Sequence, residues 1–197
     1  GIPDRGGTVK ELTLVPRPLY PYETWQAVTS PPTLEQVPRR GWGGVFWNNH
    51  PTFLTERWSR FAEIYEEAHG RALARGEKRM LVLCTRVEDT REQAVEKLRP
   101  GHDEFWKFLG PYGWSKGYMG ADGRPAQAGL VPTLEESLDQ HIFLAGSPVD
   151  LADSIGWYRD LVGVEELLLF PGMPGDSYDV VEEQMARLAE EVLPLLS

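Results

Sequence analysis

Trp25 to Asn48 reads WQAVTSPPTLEQVPRRGWGGVFWN, and the order of its segments decides the fold. An apolar run, Thr24–Val28, meets Thr29-Ser30-Pro31-Pro32, then a short amphipathic stretch to Arg40, then a second apolar run at Gly44–Trp47. Strand, helix start, helix and strand in that order make a β/α repeat. The apolar residues are consecutive rather than alternating, which predicts strands covered on both faces, as in a parallel sheet. Working outward, Met80–Thr85 and Glu166–Phe170 are two further runs of this kind.

Each run is followed by a helical pattern. Pro31–Arg40 is short, and Pro38 is expected to end or kink it. Thr55–Arg75 carries Trp58, Phe61, Ala62, Tyr65, Ala68 and Ala72 on one stripe, with Thr52 or Thr55 as cap and Gly76 beyond its end. Thr90–Leu109 is less regular and is broken by Pro100-Gly101, while Asp176–Leu196 has Asp176 as a natural N-cap. In that last helix Val180, Val181, Met185, Leu188, Val192 and Leu195 are expected to face inward. A further helix before the last strand opens on Ser147-Pro148-Val149-Asp150 and closes at Gly163. Strand–helix alternation repeated in this way predicts β/α units with right-handed crossovers. Leu109–Gln140 is the exception. It is rich in Gly, Pro and aromatics with little periodicity, and a segment of that kind is usually a functional lid or a disordered loop. The aromatics Phe105, Trp106, Tyr112, Trp114 and Tyr118 favour a lid over something apolar.

The strongest candidate site is Thr29-Ser30, with Thr33 one turn on. A strand end there delivers hydroxyls to a helix N-terminus, where free N–H groups and partial positive charge gather. The other reading is that Ser30 is simply an N-cap with Pro31 at the first helical position. Pro31 and Pro32 lack N–H donors, so hydroxyls must do more of the holding if an anion binds. FPGMPGDS, at Phe170–Ser177, is a second strand-to-helix junction, but Asp176 already places a carboxylate at that helix start. His50, His69, His102 and His141 are scattered without metal-ligand spacing, so no metal is expected, and no nucleophile elbow is present. The paired acids Glu66-Glu67, Glu135-Glu136, Glu165-Glu166 and Glu190-Glu191 read as solvated charge.

The chain has 197 residues, 41% apolar and 25% charged, enough for one sizeable core and here read as a single domain over 1–197. A formal charge of −10 argues against a nucleic-acid or anionic-membrane partner. The single cysteine, Cys84, lies inside MLVLCTRV and reads as a buried hydrophobe in a reducing compartment. No apolar run is long enough to span a bilayer and GIPDRGG has no signal-peptide core, so a cytoplasmic protein is expected. Gly1–Lys10 reads as the middle of a loop, as if the chain were processed or part of something longer.

Taken together, LVPRPLYP, then WQAVTSP…RRGWGG, then LAGSPVDLADSIGWYRDLVGVEELLLFPGMPG…LAEEVLPLL resembles the C-terminal half of the luciferase-like flavin monooxygenases, relatives of bacterial luciferase and the long-chain alkane monooxygenases. No single motif is specific; the ordered set is. The resemblance covers essentially the whole chain, with Leu109–Gln140 the least alike. It implies an α/β chain forming the C-terminal half of a (βα)8 TIM barrel, its strands matching barrel strands five to eight, with 109–140 as an irregular lid insertion. A half of that kind leaves open strand edges, so a complementary N-terminal half-barrel or an intimate dimer mate is expected. The catalytic polar residues are expected in that missing half.

The resemblance further implies an FMN-dependent oxidoreductase. Reduced flavin and O2 would give a C4a-peroxyflavin that oxygenates a small organic substrate, with a flavin reductase as a candidate partner. An F420-dependent oxidoreductase is the close alternative, and a non-catalytic flavin-binding or structural partner is a reading of another class. Thr29, Ser30 and Thr33 match the loop that contacts the flavin phosphate in the family. Trp47 lies at the strand end near the flavin ring, though it reads equally well as barrel core. Trp106, Tyr112, Trp114 and Tyr118 belong to the segment that closes over the site. Pro32 and Pro38 depart from the family pattern and imply a short or displaced helix, and the lid, rich in Gly and Trp, leaves the substrate open.

Overall fold

The computed structural model of the protein describes Ile2–Asp4, Gly7–Val9 and residues 18–196. Pro16 and Arg17 of the Pro-Arg-Pro-Leu run lie outside the described residues. The expected loop at Gly1–Lys10 is corrected: β1 (Ile2–Asp4) pairs antiparallel with β2 (Gly7–Val9). Asp4-Arg5-Gly6-Gly7 between them is a glycine-bearing hairpin signal that the loop reading passed over.

The main sheet is parallel. The four apolar runs form β3 (Trp25–Ala27), β4 (Gly43–Trp47), β5 (Arg79–Val87) and β7 (Glu166–Phe170). β4 pairs with β3 and β5, and β7 pairs with β5. Because Met80 to Val82 are paired with β4 and with β7 at once, those strands occupy opposite edges of β5. The order β3-β4-β5-β7 is therefore that of four consecutive strands of a twisted parallel sheet, open at both ends rather than closed into a barrel. A fifth strand escaped the sequence reading: β6 (Phe143–Gly146) pairs with Cys84–Val87. Four residues before Ser147-Pro148 are too few to separate from the helix start by pattern alone.

The register sorts the side chains into two faces, since partners across a parallel ladder share a side. Phe46, Leu81 and Leu167 align on one face, with Leu83 and Leu169 above them. This face packs against α1 (Pro31–Arg39), α2 (Pro51–His69) and α5 (Pro148–Val162), where Val37, Phe61, Trp58, Leu151 and Tyr158 complete a core. The other face runs in rows: Ala27, Val45, Met80 and Glu166; then Trp47, Val82 and Leu168; then Cys84 and Phe170. Its upper part is roofed by a second core built from α3 (Arg91–Leu109), the 109–140 segment and β6. Its β7 side is open, with Leu168 42% and Phe170 41% exposed.

Helix ends follow local chemistry more closely than the apolar stripes do. α2 begins earlier than expected, because His50 takes the N-cap position and its Nδ1 accepts from Thr52 N at 3.2 Å. It also ends six residues earlier than Arg75, because Gly70 turns left-handed at φ 66°. α1 ends at Arg39 with Pro38 in its last turn, as its proline requires. α3 is capped by Thr90 and runs through Pro100-Gly101, so the expected break there is corrected. Gly101 earns its place by packing: an added Cβ would lie 2.4 Å from Met173 Cβ. The last helix, α6 (Tyr178–Arg187), is capped by Ser177 rather than Asp176, whose Oδ2 instead accepts from Met173 N at 2.8 Å. It continues through a π turn at Leu188–Val192. Buried positions here are Gln184, Leu188 and Val192, while Met185 and Leu195 are exposed, against expectation. Gln184 is buried because its amide bonds both backbone groups of Val87, at 2.8 and 2.9 Å.

Candidate functional site

The carboxyl ends of parallel strands are where α/β folds gather ligand-binding groups. Here the ends of β3 and β4 open into a cleft of about 590 Å³. Its walls are Thr29, Ser30 and Pro31 after β3, then Trp47, Asn48 and Asn49 ending β4. The first turns of α2 add Phe53, Glu56 and Arg57, and the roof brings Tyr112, Trp114, Lys116 and Gly117.

Thr29 and Ser30 line this cleft. Thr33 does not line it. Its hydroxyl is consumed inside the helix cap, accepting from Ser30 N at 3.0 Å and Thr29 N at 3.2 Å while donating to the Ser30 carbonyl at 2.9 Å. Ser30 Oγ closes the box by accepting from Thr33 N at 3.5 Å. The cap and cleft roles thus divide by residue. Thr33 is cap, Ser30 is cap and cleft wall together, and the exposed Thr29 hydroxyl has no protein partner among the described residues.

Trp47 forms the cleft floor, with Trp114 of the roof edge-on at 5.5 Å, Phe105 at 5.7 Å and Phe170 at 5.9 Å. Trp114 and Tyr112 are therefore placed over the cleft, Tyr112 largely exposed. Trp106 and Tyr118 are not, and their expected place in the lid is corrected. Both are fully buried in the second core, ring edge against ring at 5.1 Å. Tyr118 Oη is 2.7 Å from Ser137 Oγ, which is 2.7 Å from His102 Nε2, so this chain of bonds ties the roof to α3 and to α4 (Leu134–Asp139). Burial lowers the His102 pKa, with the hydrogen bond to Asp103 acting against it. The 109–140 segment is thus a packed roof with its own short helix. Thr133 and Glu136 form a capping box that could have revealed α4 in the sequence.

Several cleft residues were missed by sequence reasoning. Asn48 sits at φ 52° with its carboxamide 4% exposed and no partner for either polar atom. Asn49 Nδ2 donates to the Trp47 carbonyl at 2.7 Å, and Asn49 Oδ1 accepts from Arg57 Nη1 at 2.8 Å. Gly117 lies directly on the Asn48 backbone, where an added Cβ would fall 1.6 Å from the Asn48 oxygen, and its own carbonyl accepts from His50 N at 2.7 Å. Two asparagines between a strand end and a helix start were the readable signal, since αL-tolerant residues mark such turns.

A second hollow, of about 560 Å³, lies at the end of β5 beside α6. Most of its charges are engaged in ion pairs: Glu88 accepts from Arg86 at 2.9 Å and Lys97 at 2.7 Å, and Arg187 reaches Asp89 and Glu191 at 2.9 Å. Cys84 is fully buried and its thiol is pushed up to about 12 by burial, which fits the reading of a core hydrophobe. Among the described residues no group of three or more His, Cys, Asp or Glu is placed to hold a metal ion. No helix among them is long and apolar enough to cross a membrane.

No protein-family model matches the sequence, and no curated protein matches it. Solved structures do match by shape. One is the oxygenating constituent of 3,6-diketocamphane monooxygenase from the CAM plasmid of Pseudomonas putida, a type II Baeyer-Villiger monooxygenase in complex with FMN. The TM-score is 0.67 at 18% identity, over 88% of this chain and 48% of that one. A long-chain alkane monooxygenase matches with a TM-score of 0.54 at 20% identity, over 87% and 40% of the two chains. The coenzyme F420 dependent tetrahydromethanopterin reductase from Methanopyrus kandleri matches with a TM-score of 0.56 at 16% identity, over 88% and 50%. The shared feature is the fold. The chain has their α/β parallel-sheet architecture and spans about half of their length.

Proposed function

We propose that the chain is the C-terminal half of an FMN-dependent monooxygenase of the luciferase-like type, with the flavin held in the cleft at the ends of β3 and β4. The observation that carries this reading is the cleft's donor set within that fold. A Thr29 hydroxyl without a partner among the described residues, a Ser30 hydroxyl now engaged with Thr33 in the helix cap, and an unpartnered Asn48 carboxamide line the cleft together with Trp47 and Trp114. A buried amide with neither polar atom bonded costs about 1–3 kcal/mol, and a polar ligand edge is the group that relieves it. The residues present therefore fit a flavin: hydroxyls for the phosphate, Trp47 for the ring face, and Asn48 for a ring edge that both donates and accepts. When bound and reduced, FMN supplies the electrons for activating O2. This chain's own part is to hold the flavin beside Trp47 and under the roof residues that line the cleft, and to keep water from it.

The open edges of β3 and β7, with the exposed Leu168 and Phe170, support a complementary N-terminal half that carries the catalytic polar groups. The substrate is then a small organic molecule entering beneath the roof. An F420-dependent oxidoreductase is the second reading, favoured by the match to the tetrahydromethanopterin reductase fold. Replacing Thr29 and Ser30 with Ala in the complete protein is expected to weaken FMN binding about tenfold or more, from loss of hydrogen bonds to a charged group. Riboflavin binding should change far less. Equal losses for the two ligands would remove the phosphate assignment, and a spectrum that responds to F420 and not to FMN would favour the second reading.

A further inference from the structure

Arg57 lines the cleft half-buried, and among the described residues it makes no ion pair. It stands early in α2, and its placement is fixed by two bonds in series: the Trp47 carbonyl accepts from Asn49 Nδ2 at 2.7 Å, and Asn49 Oδ1 accepts from Arg57 Nη1 at 2.8 Å. A guanidinium carries five N–H donors, and this series uses one of them. Other partly buried arginines in the chain are spoken for. Arg86 pairs with Glu88 at 2.9 Å, Arg187 pairs with Asp89 at 2.9 Å, and Arg79 donates to three backbone carbonyls. Burial lowers the Arg57 pKa, and no acid acts against it. Holding a half-buried cation without a counterion is unfavourable, so its retention needs a partner that the chain does not itself supply.

The roof brings a second cation to the same cleft. Lys116 lines it and has no protein partner among the described residues. Exposed Glu56 lies on the same wall, and the three together leave one net positive charge. The Thr29 hydroxyl completes a set of donors drawn from the end of β3, from α2 and from the roof, and Ser30 could join it by releasing its cap bond to Thr33. A planar guanidinium fork beside hydroxyls and an ammonium is the donor set that suits a phosphate group, whose oxygens take bidentate bonds and more than one cation.

We infer that Arg57, set in place by Asn49 and joined by Lys116 from the roof, is the principal anchor for a phosphate monoester in this cleft. The identity of the rest of the ligand rests on the flavin reading, whereas the phosphate anchor does not. The arrangement also ties the roof to the floor through the ligand, since Lys116 lies in the 114–117 turn whose backbone rests on Asn48.

The experiment titrates the complete protein and its Arg57→Gln, Arg57→Lys, Asn49→Ala and Lys116→Gln variants with FMN, with riboflavin, and separately with inorganic phosphate by thermal shift. Arg57→Gln is expected to lower the ratio of FMN to riboflavin affinity by about tenfold or more, with Arg57→Lys and Asn49→Ala between it and the wild type. Lys116→Gln, at an exposed position that folding does not depend on, should lower it about threefold and keeps the test open if Arg57→Gln does not fold. An unchanged ratio in folded variants overturns the inference while leaving the flavin reading intact. If the wild type takes up neither flavin but phosphate raises its melting temperature only when Arg57 is present, the flavin reading fails and the anchor stands. If phosphate gives no Arg57-dependent shift in that case, the anchor falls as well.

Discussion

The contact between Gly117 and Asn48 gives the most direct test of whether the roof rests on the cleft floor. Replacing Gly117 with Ala places a methyl group 1.6 Å from the Asn48 oxygen and 2.8 Å from its carbonyl carbon. Non-bonded heavy atoms settle near about 3.5 Å, so the roof must retreat by roughly 2 Å. The neighbour is backbone and cannot rotate away. The retreat also stretches the 2.7 Å bond from His50 N to the Gly117 carbonyl. Overpacking of this kind costs about 1–3 kcal/mol and the lost bond about 1 kcal/mol, offset in part by the lower entropy of the unfolded chain. The net expectation is about 2–3 kcal/mol of destabilisation in urea unfolding, with a change in tryptophan emission as Trp114 moves off Trp47. The control is Gly156→Ala in α5, where an added Cβ meets nothing within 4 Å. That change should stabilise by about 0.5–1 kcal/mol, because alanine suits a helix interior better than glycine. If Gly117→Ala unfolds within about 0.5 kcal/mol of the wild type while Gly156→Ala shifts as expected, the roof does not bear on Asn48 and the reasoning fails.

Gln184→Met keeps the side-chain volume but strands the buried N–H and C=O of Val87, and should cost about 2–4 kcal/mol in urea, against less than about 0.5 kcal/mol for the exposed Glu183→Met. His102 supplies a pH dependence. Burial lowers its folded pKa below the ordinary value of 6.5, so the unfolded chain takes up the proton first as pH falls. Its contribution is intact above that ordinary value and is lost as pH drops through it towards the lowered folded value. Between pH 7.5 and 5.5 the urea stability should therefore decline, by at most about 1.4 kcal/mol per pH unit for this group. His102→Gln should flatten that slope, and a slope left unchanged would show that His102 is not held neutral. His50 and His141, also lowered by burial, account for the slope that remains.

Four strands were readable from the consecutive apolar residues at Thr24–Val28, Gly44–Trp47, Met80–Thr85 and Glu166–Phe170. The two-sided burial such runs imply is met in β5 and not in β7, where Leu168 and Phe170 are exposed. Ser147 with Asp150 was readable for the same kind of reason, since a capping box is written in adjacent residues. What escaped depends on non-local contact. Gln184 is inside because of a backbone 97 residues away, and no stripe in its own helix announces that. Trp106 and Tyr118 look like lid aromatics in sequence, and only the packing of α3 against α4 shows that they hold the roof up from beneath. The cleft was half legible. Hydroxyls at a strand end are a local signal, whereas the bond of Arg57 to Asn49, and its want of an ion pair among the described residues, are facts of three dimensions.

The first row on the face of the sheet that carries Leu168 and Phe170 ends in a charge. Glu166 begins β7 on the same side as Leu168 and Phe170, level with Ala27, Val45 and Met80. A strand arriving at the β7 edge therefore meets one carboxylate and then two large apolar side chains, in fixed alternation. An incoming strand that places a cation or polar group level with Glu166 also sets its own apolar residues against Leu168 and Phe170, while a slip of one residue buries the carboxylate against hydrocarbon. Glu166 thus works as a register mark: it admits one alignment of a pairing strand and penalises casual edge-to-edge pairing between copies.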